Sequence, residues 1–263
     1  MPASTEAPDW PTVREEALGL VIAAAEQQLM LRLVGSVGIR LHAPHLEHLM
    51  ERLRPAPKDL DFVCRKQDRS ALRTLLEARG YENDRNMLVA MEGQRYLFIH
   101  RETGLKLDIF VDQLDFCHRI DLRGCLHRHP VTIPVEQLIL HKLQIVELTE
   151  GDLIDLGIML SSFAPGKEGD TGAYSLDRLL APLAETWGFW RTATGNLDLV
   201  RDLAERGSYP VLDEDAQARI AARANALLEA AHAVPKRVPW KLRARLGERM
   251  QWWQDVDDRE GTY

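Results

Sequence analysis

Three short stretches of the chain alternate apolar and polar residues, as half-buried β-strands do. They cover residues 31–34, 59–63 and 105–111. Between them, apolar residues recur every three or four positions, which is typical of amphipathic helices. Strands separated by helices predict an α/β (α+β) fold with a mixed sheet flanked by helices.

The same periodicity predicts individual elements up to residue 162. Helices are predicted at 11–30, 37–54 with an interruption at Pro44, 68–79, 135–148 and 152–162. Strands are predicted at 31–34, 59–63, 87–92, 95–100, 105–111 and 127–133. The strands 87–92 and 95–100 are expected to form a hairpin.

Composition changes in the segment 164–172, which contains three glycines and one proline. Such a segment is typical of a linker or a long loop. Beyond it the pattern is helical almost to the end, with helices predicted at 176–187, 196–205, 214–232 and 240–253. The chain is therefore predicted to have an α/β domain with its trailing helices over 1–163 and a C-terminal helical region over 174–263.

Charge and cysteine content narrow the class of protein. The 263 residues include 33 Lys and Arg against 40 Asp and Glu, a net charge of −7, so the surface as a whole does not attract nucleic acid. Three cysteines are too few for a disulfide framework, which favours the cytoplasm. The longest apolar stretch, 18–25, is too short to cross a bilayer, so a membrane partner is not expected.

Two aspartates share one face of the strand predicted at 59–63. Side chains alternate along a strand, so Asp59 and Asp61 point to one face and Leu60 and Phe62 to the other. Neighbouring carboxylates repel one another unless a cation or hydrogen-bond donors lie between them. The pair is therefore either a binding face or a solvated strand face.

A third aspartate, Asp108, points away from the aliphatic face of the strand predicted at 105–111. It either pairs with a neighbouring lysine or joins the first two aspartates. If the two strands lie side by side, Asp59, Asp61 and Asp108 converge. Three carboxylates in one place suit Mg²⁺ or Mn²⁺.

A Gly-Ser pair lies upstream of these aspartates, between a predicted strand and a helical segment. Gly35 allows a close approach of the backbone to a ligand. The free N–H groups at the start of a helix after Ser36 can bind phosphate oxygens.

In this order, the Gly-Ser pair, the Asp-x-Asp strand and the aspartate of a later strand resemble the minimal nucleotidyltransferase and AbiEii-like group of the DNA polymerase β-type superfamily. Lys142 on one helix, and Asp152 and Asp155 at the start of the next, resemble the lysine and D-x-x-D motifs of that group. The resemblance covers roughly residues 31–160.

The resemblance implies an enzyme that moves a nucleoside monophosphate from an NTP such as ATP to a hydroxyl group and releases pyrophosphate. The implied acceptor is RNA, especially a tRNA 3′ end, or a side chain of a partner protein, and an antitoxin partner would fit the group. The implied catalytic and metal-binding residues are Asp59, Asp61 and Asp108, and the implied nucleotide-binding residues are Gly35, Ser36 and Lys142.

Several alternatives remain open at the level of sequence. The same fold could bind nucleotide or RNA without catalysis. Lys142 could form a structural salt bridge with Asp152 or Asp155. Two sets of residues have spacings that allow a zinc site or ordinary polar surface: His42, His45 and His48, and Cys125, His127 and His129.

The segment 235–253 is basic in an acidic chain. It contains six Lys and Arg against one Glu, with Trp240, Trp252 and Trp253 interspersed. Basic and aromatic side chains together suit RNA. The alternative is a solvated helix face whose tryptophans pack inward.

Overall fold

The computed structural model describes residues 9–53, 57, 59–84, 94–167, 172–209 and 212–255. The chain divides into two compact units. The first unit comprises residues 1–113 and 121–134, and the second comprises residues 114–120 and 135–263.

A five-stranded mixed sheet forms the centre of the first unit. Its strands are β1 (Leu31–Leu33), β2 (Asp59–Cys64), β3 (Tyr81–Asn83), β4 (Arg95–His100) and β5 (Lys106–Val111). They are arranged in the order β1-β2-β5-β4-β3. The central strands β2 and β5 are parallel, whereas the other neighbouring pairs are antiparallel. The sheet is therefore mixed, as the sequence predicts.

In the described ranges of this unit, the sheet is accompanied by the α-helices α1 (Trp10–Glu26), α2 (Gly35–His42), α3 (Glu47–Leu53) and α4 (Arg69–Ala78). Asp9 caps α1 by accepting a hydrogen bond from the backbone N–H of Thr12. A short 3₁₀ helix, Pro44–Leu46, interrupts the segment between α2 and α3, at the proline where the sequence predicts a break.

The core of the first unit lies on the aliphatic face of the sheet. Leu60, Phe62, Leu107 and Ile109 are buried there together with residues of α1 and α4. Fully burying a Leu, Ile or Phe side chain contributes about 1.5–3 kcal/mol, so this face fixes which way β2 and β5 are turned. Their aspartates consequently point to the opposite face.

The second unit is mainly helical. Its helices are α5 (Val135–Leu143), α6 (Glu150–Ser162), α7 (Leu176–Glu185), α8 (Trp187–Glu205), α9 (Glu214–Ala233) and α10 (Val238–Ala244). A 3₁₀ helix, Gly247–Arg249, follows α10. The predicted combination of a mixed sheet flanked by helices and a C-terminal helical region is confirmed.

Short strands complete the secondary structure. Strands β6 (Gln113–Asp115) and β7 (Arg119–Asp121) form a two-stranded ribbon, and β8 (Ala164–Pro165) pairs in parallel with β9 (Ala173–Tyr174). Of the helices in the described ranges, none combines the length and the apolar character needed to cross a membrane.

Some predicted elements are wrong. Residues 127–133 form turns and a single bridge between Thr132 and Leu33 instead of a strand, because the ring of His129 accepts hydrogen bonds from the N–H groups of Val131 and Thr132. The helix predicted at 240–253 ends at Ala244. A positive φ of 57° at Gly247 turns the chain away from the helical path.

The predicted hairpin and the predicted domain division are neither confirmed nor wrong. The hairpin of 87–92 and 95–100 is described only in its second strand, β4, because residues 85–93 lie outside the described ranges. In the chain, the last change from the first compact unit to the second falls between Pro134 and Val135. The division into an α/β domain with its trailing helices over 1–163 and a C-terminal helical region over 174–263 stays a prediction.

Candidate active site

Gly35 lies at the junction of β1 and α2, directly against Asp61. Its φ is +63°, a conformation that favours glycine. A Cβ atom at this position would collide with the Asp61 carboxylate, whose Cγ would be 3.2 Å away. The N–H of Val34 also donates to the carbonyl of Asp61 over 2.9 Å. Only glycine therefore brings the start of α2 this close to β2.

The first turn of α2 is not capped by a side chain. Val34 occupies the N-cap position and has no side-chain oxygen to accept a hydrogen bond from the helix. Ser36, the second helical residue, is half-buried. The N–H groups of a helix's first turn have no partner within the helix, and the dipole favours negative charge there. This turn can therefore bind phosphate oxygens next to Asp61.

The register of β2 and β5 places the predicted aspartates on one face. Asp61 is directly opposite Asp108, and Asp59 is opposite Lys106. Their environments differ: Asp59 is exposed, Asp61 is half-buried, and Asp108 is buried with 6% of its surface accessible. Asp61 therefore lies against Gly35 and opposite Asp108 on the neighbouring strand.

An arginine that the sequence analysis does not single out binds Asp108. The Nε atom of Arg95 is 2.8 Å from both carboxylate oxygens of Asp108. Arg95 lies on β4, two residues before Leu97, which is opposite Asp108 in the ladder. Its guanidinium also lies 5.2 Å from the centre of the Phe110 ring. The signal for this contact was the basic residue at the start of the strand 95–100, but only the pairing of β4 with β5 gives it a partner.

The metal site predicted from the sequence consists of Asp59, Asp61 and Asp108. Carboxylate oxygens are the donor type that Mg²⁺ prefers, and Asp61 and Asp108 are neighbours. However, within the described ranges no group of three or more His, Cys, Asp or Glu side chains is placed to hold a metal ion. The carboxylate oxygens are the kind of ligand that Mg²⁺ prefers. In the structure, however, both oxygens of Asp108 bind the guanidinium of Arg95.

Lys142 belongs to the second unit, where it lies in a buried cluster of charges. Its Nζ is 2.7 Å from Asp152 Oδ1 and 3.0 Å from Asp155 Oδ2. Asp152 also forms a capping box with Thr149 at the start of α6. Burial by itself would raise the pKa of Asp152, but Lys142 and Thr149 outweigh it and hold this pKa below its usual value. The salt bridge that the sequence left open is therefore present in the structure.

The histidine sets meet in a different combination from the predicted ones. His42 and His129 have ring centroids 4.6 Å apart, and His42 Nε2 lies 2.5 Å from Thr132 Oγ1. Burial, with the nearby His129, lowers the pKa of His42 to about 4. In the part of the chain that the structure describes, neither predicted set forms a group that could hold a metal.

Comparisons with known proteins give a distant neighbour. No family model matches the chain, and no curated protein matches it. Among solved structures, it is similar to the crystal structure of a "putative nucleotidyltransferase from H. pylori", with 14% sequence identity. The match covers 86% of this chain and 98% of that chain, with a TM-score of 0.34. Because a score this low carries no conclusion about function, the proposal below depends on the site itself.

Proposed function

We propose that the chain is a nucleotidyltransferase that moves a nucleoside monophosphate from an NTP to a hydroxyl acceptor. The observation that carries the proposal is the approach of Gly35 to Asp61. It puts an uncapped helix start, suited to phosphate, beside a carboxylate pair, suited to the reacting centre. The likeness of the Gly-Ser and aspartate motifs to minimal nucleotidyltransferases supports the same class.

The roles of the chain's own residues follow from their chemistry. The N–H groups after Gly35 and the hydroxyl of Ser36 bind the triphosphate. The acceptor oxygen attacks the α-phosphorus and forms a new P–O bond, while the bond to the β-phosphate oxygen breaks and pyrophosphate leaves with the electron pair. A carboxylate oxygen of the Asp61–Asp108 pair takes the hydroxyl proton. Arg95 is placed to stabilise negative charge beside this pair.

Mg²⁺ or Mn²⁺ belongs to the proposal as its expected cofactor. Asp59, Asp61 and Asp108 would hold the ion, with Asp108 also bound by Arg95 through both of its oxygens. When bound, such an ion withdraws charge from phosphate oxygens and lowers the pKa of a bound hydroxyl.

The proposal also names the class of acceptor and a role for Lys142. An RNA or tRNA end and a side chain of a partner protein both offer the hydroxyl that the reaction needs, and an antitoxin-like partner would suit the class. Since Lys142 is held by Asp152 and Asp155, its role in the proposal is to brace α5 against α6.

The direct test is incubation of the protein with each α-³²P-labelled NTP, Mg²⁺ and total RNA or protein. We expect transfer of label to one acceptor and an equal amount of pyrophosphate. Asp61→Asn should lose most of the transfer, whereas the exposed Asp198→Asn should keep it. Absence of transfer and of pyrophosphate with all four NTPs would overturn the catalytic proposal.

The contact between Arg95 and Asp108 favours a second candidate function, a nucleotide- or RNA-binding module without catalysis. A guanidinium bound to both oxygens of Asp108 occupies the third carboxylate. In that case NTP should bind with equal affinity in Mg²⁺ and in EDTA, and no label should move. A requirement for Mg²⁺ together with label transfer would exclude this candidate.

A further inference from the structure

An exposed row of aliphatic side chains runs along the end of the described chain. Val238, Leu242, Leu246 and Met250 are 67%, 55%, 46% and 58% exposed, respectively. They recur at intervals of four residues, and they account for most of the large exposed hydrophobic residues in the described ranges. Isolated exposed apolar residues are ordinary, but four within thirteen residues, two of them one turn apart on α10, are typical of an interaction surface. We call residues 237–250 the C-terminal ridge.

A row of basic side chains accompanies the aliphatic row with the same spacing. Arg237, Lys241, Arg245 and Arg249 each precede one of the aliphatic residues and are exposed. Arg237 pairs with Glu185, but no carboxylate in the described part of the chain forms an ion pair with the other three. The ridge contains one acidic residue, Glu248, which binds Arg191. The exposed surface is therefore both apolar and strongly basic.

The ridge is held in a defined conformation. The guanidinium of Arg243 donates to the carbonyls of Gly247 and Met250 over 2.8 and 2.7 Å, and its Cζ lies 4.7 Å from the centre of the Trp187 ring. Beyond the ridge, the N–H of Gln254 donates to the carbonyl of Cys117 over 3.0 Å. A surface that is already ordered loses little conformational entropy when a partner binds.

The tryptophans around the ridge are engaged within the unit. The Trp240 ring packs edge-on against Trp190 with centroids 5.2 Å apart. Trp252 donates its indole N–H to Thr192 Oγ1 over 3.1 Å, and Trp253 packs on Trp252. Single-stranded RNA is bound largely by stacking of bases on aromatic rings. These contacts use the rings internally and leave aliphatic side chains outward, which favours a protein partner over RNA.

We propose that the C-terminal ridge binds an acidic amphipathic helix of another protein. Val238 and Leu242 lie one turn apart on α10 and Leu246 and Met250 follow its end, so together they offer apolar surface that the apolar face of a partner helix would cover. Asp and Glu beside those residues would pair with Lys241, Arg245 and Arg249. This inference does not depend on nucleotidyl transfer, because it uses only residues of the second unit.

The first step of the test places a photo-crosslinking amino acid at position 242 or, as a control, at the exposed position Leu199, in cells that make this chain. We expect position 242 to crosslink to one protein, identified by mass spectrometry, through a peptide rich in acidic and apolar residues. Crosslinks to RNA, crosslinks to a second copy of this chain, or crosslinking no greater than at position 199 would overturn the proposal.

The second step measures binding of that protein, purified, to the full chain. The double variant Leu242→Asp, Leu246→Asp should weaken binding at least tenfold, and Lys241→Glu with Arg245→Glu should weaken it and flatten its salt dependence. Leu199→Asp should bind as the unchanged chain does. Since all these side chains are exposed, near-UV circular dichroism should not change. Equal affinity of all variants, or equal loss in the Leu199 variant, would contradict a docking site on the ridge.

Discussion

The two units each hold a cation against aspartate side chains, but the surroundings give the two groups different roles. In the second unit, Lys142 is buried with Asp152 and Asp155 between helices. In the first unit, Arg95 binds Asp108, which is also buried, on a sheet face where Asp61 is half-buried and Asp59 is exposed. The Lys142 cluster is buried throughout, whereas the carboxylates beside Asp108 reach solvent and the uncapped start of α2.

This difference indicates whether the aspartates of each unit have a structural or a chemical role. A buried ion pair cannot exchange its partner without leaving a charge in a low-dielectric interior. Asp108 is buried as well, but its neighbour Asp61 is half-buried and Asp59 is exposed, so a ligand from solvent can reach the carboxylates of this sheet face. Hence we propose that the cluster around Lys142 stabilises the fold and that the aspartates of the sheet take part in the proposed reaction.

Removal of the buried lysine should have the largest effect. Lys142→Met leaves Asp152 and Asp155 without their cation, and breaking a buried ion pair costs roughly 3–5 kcal/mol. We expect a loss of this order in the free energy of unfolding, measured by urea denaturation. The exposed Lys241→Met is the control and should change it little. Equal small losses for both variants would make the two groups alike and remove the contrast between the units.

Acid should destabilise the second unit through its buried histidines. Burial lowers the pKa of His118 to about 4, and its ring stacks on Phe189 with centroids 5.1 Å apart. Burial and the nearby Lys142 lower the pKa of His141 to about 3. Because these values lie below the unfolded value of about 6.5, the unfolded chain binds more protons at acid pH. The stabilisation is complete above pH 6.5 and is lost as pH falls toward the folded values.

For His118 alone, the expected loss between pH 7 and pH 4.5 is about 2 kcal/mol. Urea denaturation at the two pH values measures it, and His118→Gln should reduce the difference. A pH dependence that is unchanged in this variant would show that His118 is protonated equally in both states.

Substitution of Gly35 should separate backbone strain from the contact with Asp61. Gly35→Ala forces a side chain into a positive φ and against a carboxylate, and strain of this kind costs about 1–3 kcal/mol. Gly104 has a similar φ of 70° but no atom within 4 Å of its Cβ position, so Gly104→Ala isolates the strain. We expect Gly35→Ala to lose more stability than Gly104→Ala and, unlike it, to lose NTP binding.

Release of Asp108 should have the smallest effect on stability. Arg95→Met removes a partly buried ion pair, for which we expect a loss of about 1–2 kcal/mol. Asp108→Asn in the same chain should recover part of it, because the carboxylate no longer needs a cation. Isothermal titration should also show tighter Mg²⁺ binding in Arg95→Met. Unchanged Mg²⁺ affinity would mean that Arg95 does not compete with a metal.

Local sequence patterns predicted the features that depend on side-chain alternation along a strand and on residues that break a helix. The faces of β2 and β5 follow from side-chain alternation, and the break at Pro44 follows from the missing N–H of proline. The contact of Arg95 with Asp108 could not be predicted, because it depends on the pairing of β4 with β5. The partners of Lys142 depend on how α5 packs against α6. These are long-range or side-chain choices that periodicity does not encode.

The role of Asp61 is tested most directly by melting curves of the unchanged chain and Asp61→Asn, each with and without Mg²⁺ and NTP. We expect an equal or slightly higher melting temperature for the variant without ligand, since the substitution relieves repulsion between carboxylates. We also expect ligand to raise the melting temperature of the unchanged chain and not that of the variant. A variant that melts several degrees lower without ligand, yet shows the full ligand-induced rise, would contradict the assignment of Asp61 to the active site.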